Sequence, residues 1–371
     1  NAEASGATAA ADLVSLNGNT NKVITMTAVT SVSGSYADLF NVYVTNANEY
    51  TGEGDEAVAI TGSVTATEAD TIADATSGIV TATITENTAS ALNLALVDAG
   101  GQVNAYDLTL SAGSAAATDL TSLDGKTSKV VNAAAVTEIT GSATEVAAAY
   151  AANPTTGITG LGNETVSITG TTVATLAELK AINNATSGTI TLNTQSINAD
   201  YSGSVADVKA AFAGITTQTG KITLTDSSVS VTDINTVATV TNGEVTATVT
   251  SGAASVLKSL TTTSTDAITM TVNAEASGAT AAADLVSLNG NTNKEITMTA
   301  VTSVSGSYAD LLDVYVTNAS QYTDEGDEAV TITGSVTATQ ADTIADATSG
   351  IVTATITADT ASELNSALVD S

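Results

Sequence analysis

Residues 1–99 return without a gap as residues 273–371, and the two stretches differ at only 13 of 99 positions. Asn1-Ala2-Glu3-Ala4-Ser5-Gly6 becomes Asn273-Ala274-Glu275-Ala276-Ser277-Gly278. A long tandem period constrains the fold more than any motif does. Units that bury their apolar faces against neighbouring copies grow by translation, not by adding separate globules. The expected organisation is one full period over 1–272 and the start of the next copy over 273–371, a window on a longer array.

A shorter spacing lies inside the long one. Alternating segments begin near Val23, Ala57, Ile79, Ala105, Val130, Thr165, Thr189, Lys221, Glu244 and Ala267, and Glu295 reopens the series. The mean spacing is about 27 residues, within the range of stacked repeats. Apolar and polar residues alternate in each segment, as in a half-buried strand. Ile24/Met26, Val58/Ile60, Val166/Ile168, Ile190/Leu192, Ile222/Leu224 and Ile268/Met270 should face inward. Thr25, Thr81, Thr191, Thr223, Thr246 and Thr269 should face outward, in a column interrupted by Ala59, Asp107, Asn132 and Ser167.

After most strands an acidic residue precedes two aliphatic ones three apart, as in Asp119-Leu120-x-x-Leu123 and Glu178-Leu179-x-x-Ile182. That spacing places both aliphatic side chains on one helical face. Ser35-x-x-Asp38, Thr67-x-x-Asp70, Ser142-x-x-Glu145, Thr175-x-x-Glu178 and Ser204-x-x-Asp207 have capping-box spacing. These acids therefore read first as helix starts. Asn17-Gly18, Ser77-Gly78, Asp124-Gly125, Ser187-Gly188, Thr219-Gly220 and Asn242-Gly243 read as turns whose glycine supplies a positive φ. Strand, short arm, short helix and glycine turn together predict a parallel β-solenoid. It would have a short helix in most rungs, about ten rungs per period, and a right-handed coil.

Charge narrows the function. The chain carries 8 basic against 39 acidic residues, a net charge of -31. Such a surface repels nucleic acid and anionic membranes. No apolar run approaches the roughly 20 residues of a membrane-spanning helix. Neither Cys nor His occurs, so there is no disulfide framework, thiolate nucleophile or histidine base. P-loop and dinucleotide-binding glycine patterns are also missing. Carboxylate pairs could serve sugar hydrolysis, but few basic or aromatic residues are present to hold a sugar. The expectation is a non-enzymatic protein with no certain cofactor.

Calcium is the cofactor weighed. Glu53-Gly54-Asp55-Glu56 and its copy Asp324-Glu325-Gly326-Asp327-Glu328 concentrate carboxylates. Calcium takes six to eight oxygens, of which such a loop could supply three or four. Glu53, Asp55, Glu56, Asp324, Glu325, Asp327 and Glu328 are the candidate ligands, against the plainer reading of a solvated loop. The related Leu161-Gly162-Asn163-Glu164 has lost most of the charge. Neither the EF-hand pattern nor the glycine-aspartate nonapeptide of calcium β-rolls is present.

Three segments carry a family texture. They are Gly162-Asn163-Glu164-Thr165-Val166-Ser167-Ile168-Thr169-Gly170, Thr121-Ser122-Leu123-Asp124-Gly125-Lys126-Thr127 and Ala69-Asp70-Thr71-Ile72-Ala73-Asp74-Ala75-Thr76-Ser77-Gly78. With the composition of the whole chain, they resemble the repeats of very large cell-surface proteins of cyanobacteria and proteobacteria. The resemblance implies export, an extracellular or cell-surface location, and a role in adhesion, motility or sheath formation. The reading favoured is a structural extracellular repeat protein: an acidic surface filament, layer or adhesin stalk. Its partners would be further copies of itself end to end, covalent or polymerised, without nucleic acid or membrane insertion. The alternative is a module that binds surface glycan or calcium.

Overall fold

A computed structural model describes residues 6–97, 103–152 and 157–368. The repeat's opening residues, Asn1–Ser5, lie outside the described residues. Period-two alternation yields strands near the expected positions, among them Ala57–Val64, Val80–Ile84, Ala105–Asp107, Thr165–Ile168, Ile222–Leu224, Val245–Thr248 and Ala267–Asn273. Ile24, Met26, Val58, Ile60, Val166, Ile168, Ile222, Leu224, Ile268 and Met270 are buried. Ile190 is only half-buried, because Ile190–Thr191 is the edge of its sheet and has one neighbour.

The solenoid expectation is overturned. The chain is an α/β fold whose short parallel strands fall into six separate sheets, with 15 α-helices among the described residues. It is not a single β-helix stack. Every strand pairing among the described residues is parallel. What breaks the stack is the backbone within the long segments. Ile24–Thr25 stops at a turn in which Val29 N–H donates to the Met26 carbonyl at 2.8 Å. Val29–Gly34 then enters a different sheet. The same break recurs where Val136 N–H donates to the Ala133 carbonyl at 3.0 Å, between Val131–Asn132 and Val136–Gly141. The strands on either side of the turn pair with different partners, Ile24–Thr25 with Tyr50–Thr51 and Val29–Gly34 with Ala57–Val64.

Two compact units result, Asn1–Asn193 and Thr194–Ser371. The first holds the five-stranded sheet, a four-stranded sheet and two two-stranded sheets. The second holds the seven-stranded sheet and a four-stranded sheet. The 272/273 junction lies inside the strand Ala267–Asn273 of the second unit.

The helices bear out most of the caps. Ser35, Ser142, Thr175 and Ser204 accept the backbone N–H three residues on, and Ser142 and Thr175 form full capping boxes. Thr67–Asp70 is not a cap. The box is Thr65–Glu68, two residues earlier, and it opens the helix Ala66–Ala73. Asp70 instead accepts the Val97 N–H at 2.8 Å.

The glycine turns also need correction. Gly18, Gly78, Gly125, Gly188, Gly220 and Gly243 are not among the residues with positive φ. At Gly78 and Gly188, close approach is the reason. A Cβ would lie 1.9 Å from the Glu56 carbonyl oxygen and 2.2 Å from that of Glu164. At Gly188 the preceding threonine clamps the approach: Thr186 Oγ1 donates to the Glu164 carbonyl at 2.7 Å and accepts the Gly188 N–H at 3.0 Å.

Candidate cation-binding loops

Two copies of one loop, and a third relative, converge on the same geometry. In the first copy, helix Tyr36–Phe40 runs into a π-helical turn, Asn41–Thr45, which carries Tyr43 into the interior. The chain returns through Gly52 and Gly54, both at positive φ, to Glu56. Glu56 is buried at the entrance to strand Ala57–Val64. Its Oε1 accepts the Tyr43 hydroxyl at 2.5 Å, and its Oε2 accepts Gly54 N–H at 2.6 Å and Asp55 N–H at 3.0 Å. Glycine at position 54 lets the loop curl so that two successive N–H groups aim at one carboxylate, a small anion nest.

Glu164 repeats the arrangement. It is buried, accepts the Tyr150 hydroxyl, and takes Gly162 N–H at 2.8 Å and Asn163 N–H at 3.1 Å on Oε2. In the second copy Glu328 is buried, and its Oε2 accepts Gly326 N–H at 2.7 Å and, at 3.4 Å, the Tyr315 hydroxyl. Burial, reinforced by the neighbouring carboxylate, pushes the phenols of Tyr43, Tyr150 and Tyr315 well above the ordinary tyrosine range. These phenols therefore stay protonated and serve as donors.

The predicted ligands are thus dispersed. Glu56 and Glu328 point inward and are held by backbone N–H groups and a phenol. Asp55, Asp324 and Asp327 are exposed, and Glu53 and Glu325 are half-buried. Asp324 has φ of 60° and accepts the Thr299 hydroxyl at 2.8 Å. Among the described residues no group of three or more acidic side chains is arranged to hold a metal ion. Two buried oxygens nevertheless find no hydrogen-bond partner, Glu53 Oε2 and Glu328 Oε1. The Tyr–Glu pairing lies outside those expectations, although its signal is in the sequence: a tyrosine 13 or 14 residues before the glutamate of Gly-x-Glu.

Elsewhere the sparse lysines bridge adjacent segments. Lys209–Asp233 closes at 2.7 Å and Lys221–Glu244 at 3.0 Å, and each lysine holds its carboxylate below the usual range. The outward threonines are uneven. Thr191 and Thr269 are exposed, whereas Thr25, Thr81, Thr223 and Thr246 are half-buried. No helix among the described residues is long and apolar enough to cross a membrane.

Comparison with known proteins found no matching family, no matching curated protein and no matching solved structure.

Proposed function

We propose that the chain is a structural, non-enzymatic component of an extracellular or cell-surface array, an acidic filament, layer or adhesin stalk built from further copies of itself. The observation that carries this reading is the repeat, in sequence and in local structure. Ala57–Val64 followed by Ala66–Ala73 recurs as Ala329–Val336 followed by Ala338–Ala345, with the same Thr cap and the same buried glutamate at the strand entrance. Repetition of inward-facing elements serves length and surface. The net charge of -31 keeps such material soluble and its lateral contacts repulsive. Negative-stain imaging of native material tests the reading: fibres or layers with a regular axial repeat are expected, and globular, ligand-dependent monomers overturn it.

The calcium reading of the acidic loops keeps one supporting observation, the partnerless buried oxygens of Glu53 and Glu328. Calcium titration against thermal unfolding tests it. A rise in Tm reversed by chelator supports bound cation; an unchanged Tm removes it.

A further inference from the structure

One stretch of sequence occupies two different environments. Val80–Ile84 and Val352–Ile356 are both Val-Thr-Ala-Thr-Ile. In the first unit this strand has parallel neighbours on both sides, Ala57–Val64 and Ala105–Asp107. In the second unit its only pairing among the described residues is with Ala329–Val336. The inward side chains respond accordingly. Val80, Ala82 and Ile84 are buried, whereas Val352, Ala354 and Ile356 are half-buried. The following helix shows the same contrast: Leu96 is 2% exposed and its copy Leu368 45%.

We infer that the open edge of Val352–Ile356, with helix Ala361–Ala367 beside it, is a docking surface for a strand–helix segment of the sequence Val103–Lys126, supplied by a further repeat. The inference rests on the array reading above. The first unit shows how the same face takes that partner. Thr81, Ala82 and Thr83 pair in parallel with Ala105, Tyr106 and Asp107. Asn104 Oδ1 accepts the Val80 N–H at 2.9 Å. On the helix side, Asn93 Nδ2 donates to Asp119 Oδ1 at 2.9 Å and Ser122 Oγ donates to Asn93 Oδ1 at 2.7 Å. Lys126 Nζ donates to the carbonyls of Asn93 and Leu96, closing the C-terminal end of helix Ala89–Ala95.

The receiving groups persist in the second copy as the backbone of Val352, Asn365 and Leu368. Differences fall at positions the contact does not need. Leu94, replaced by Ser366, is 82% exposed even with the partner present. Asn87, replaced by Asp359, engages the partner through its backbone carbonyl, which accepts the Ser111 N–H at 2.9 Å. The related segment Ala10–Gly18 is followed by Asn19 where the proposed partner has Lys126. A lysine on the helix carbonyls is therefore the feature that selects between them.

The test extends the full chain at its C-terminus with a second copy of residues 100–152, beside a control extension of the same composition in scrambled order. Amide exchange of Val352–Ile356 is then followed in peptides made unique by Asp359 and Glu363. Docking predicts slowing by about tenfold or more, toward the rates of Val80–Ile84. It also predicts that Lys126→Ala in the appended copy returns part of that protection. Equal exchange with native and scrambled extensions overturns the inference. Slowing that Lys126→Ala leaves unchanged overturns the lysine-based selection. Fibre imaging fails separately: a docked extension on material that forms no fibres would sink the array reading alone, and fibres with an unprotected edge would sink the docking alone.

Discussion

The loop that ends at Glu56 and the loop that ends at Glu328 are copies, yet they are not equally satisfied. In the first, both carboxylate oxygens are used and the Tyr43 hydroxyl sits at 2.5 Å. In the second, the Tyr315 hydroxyl stands at 3.4 Å and Glu328 Oε1 has no partner. One substitution, at the first residue of the π-helical turn, differs in kind. Asn41 accepts Asn46 Nδ2 at 2.9 Å through its amide oxygen. Its counterpart Asp313 accepts Asn318 Nδ2 at 2.9 Å but leaves Oδ1 buried without a partner. Burial, and then the charge of half-buried Asp313, push the phenol of Tyr322 above the ordinary tyrosine range. Near-identical sequence therefore keeps the shape of the clasp while a few side chains set how well it is closed.

The largest expected effect tests what the copies share. Gly78→Ala and Gly350→Ala each push a Cβ into a backbone carbonyl, at 1.9 Å from Glu56 O and 1.8 Å from Glu328 O. A backbone neighbour cannot swing aside, so each should cost about 3 kcal/mol or more in urea unfolding of its unit. Equal and small losses would remove the close-approach account.

Next comes the difference itself. Glu56→Ala orphans a phenol and two N–H groups and should cost about 3 kcal/mol, whereas Glu328→Ala should cost about half as much. Matching losses would show that the two clasps are equally closed.

Alkaline pH sharpens the same contrast. Burial and the adjacent carboxylate raise the folded-state pKa of Tyr43, Tyr150 and Tyr315. The neutral phenol is favoured by the fold, so the contribution is complete below the unfolded value of about 10 and is lost as pH rises beyond it. Tyrosinate absorbance from these three phenols should therefore appear together with unfolding. In Tyr43→Phe the loss of stability above about pH 10 should be shallower. Early, reversible ionisation of Tyr43, Tyr150 and Tyr315 without unfolding would contradict this.

The smallest effect is a gain. Asp313→Asn restores the first copy's amide and should stabilise the second unit by about 1 kcal/mol, read as a rise in Tm.

Much of the local structure was legible. Alternation located strands such as Ala57–Val64 and Thr165–Ile168 because side-chain period directly reports which face is buried. Ser142–Glu145 and Thr175–Glu178 were legible because a cap is a contact over three residues. Thr67–Asp70 misled because Thr65–Glu68 offers the same spacing two residues earlier, and the choice depends on where the preceding strand ends. Glu56 was read as a solvated or metal-bound acid because its burial depends on Tyr43, a contact across 13 residues.

What the sequence determined by itself was the repeat, the alternation and the helix starts, all consequences of short-range geometry. Tertiary structure alone decided that the strands divide among separate sheets, since the turns at Met26–Val29 and Ala133–Val136 redirect the chain between ladders. It also decided that Val-Thr-Ala-Thr-Ile is buried at 80–84 and half-open at 352–356. Burial belongs to the neighbours a strand acquires, and identical residues can acquire different ones.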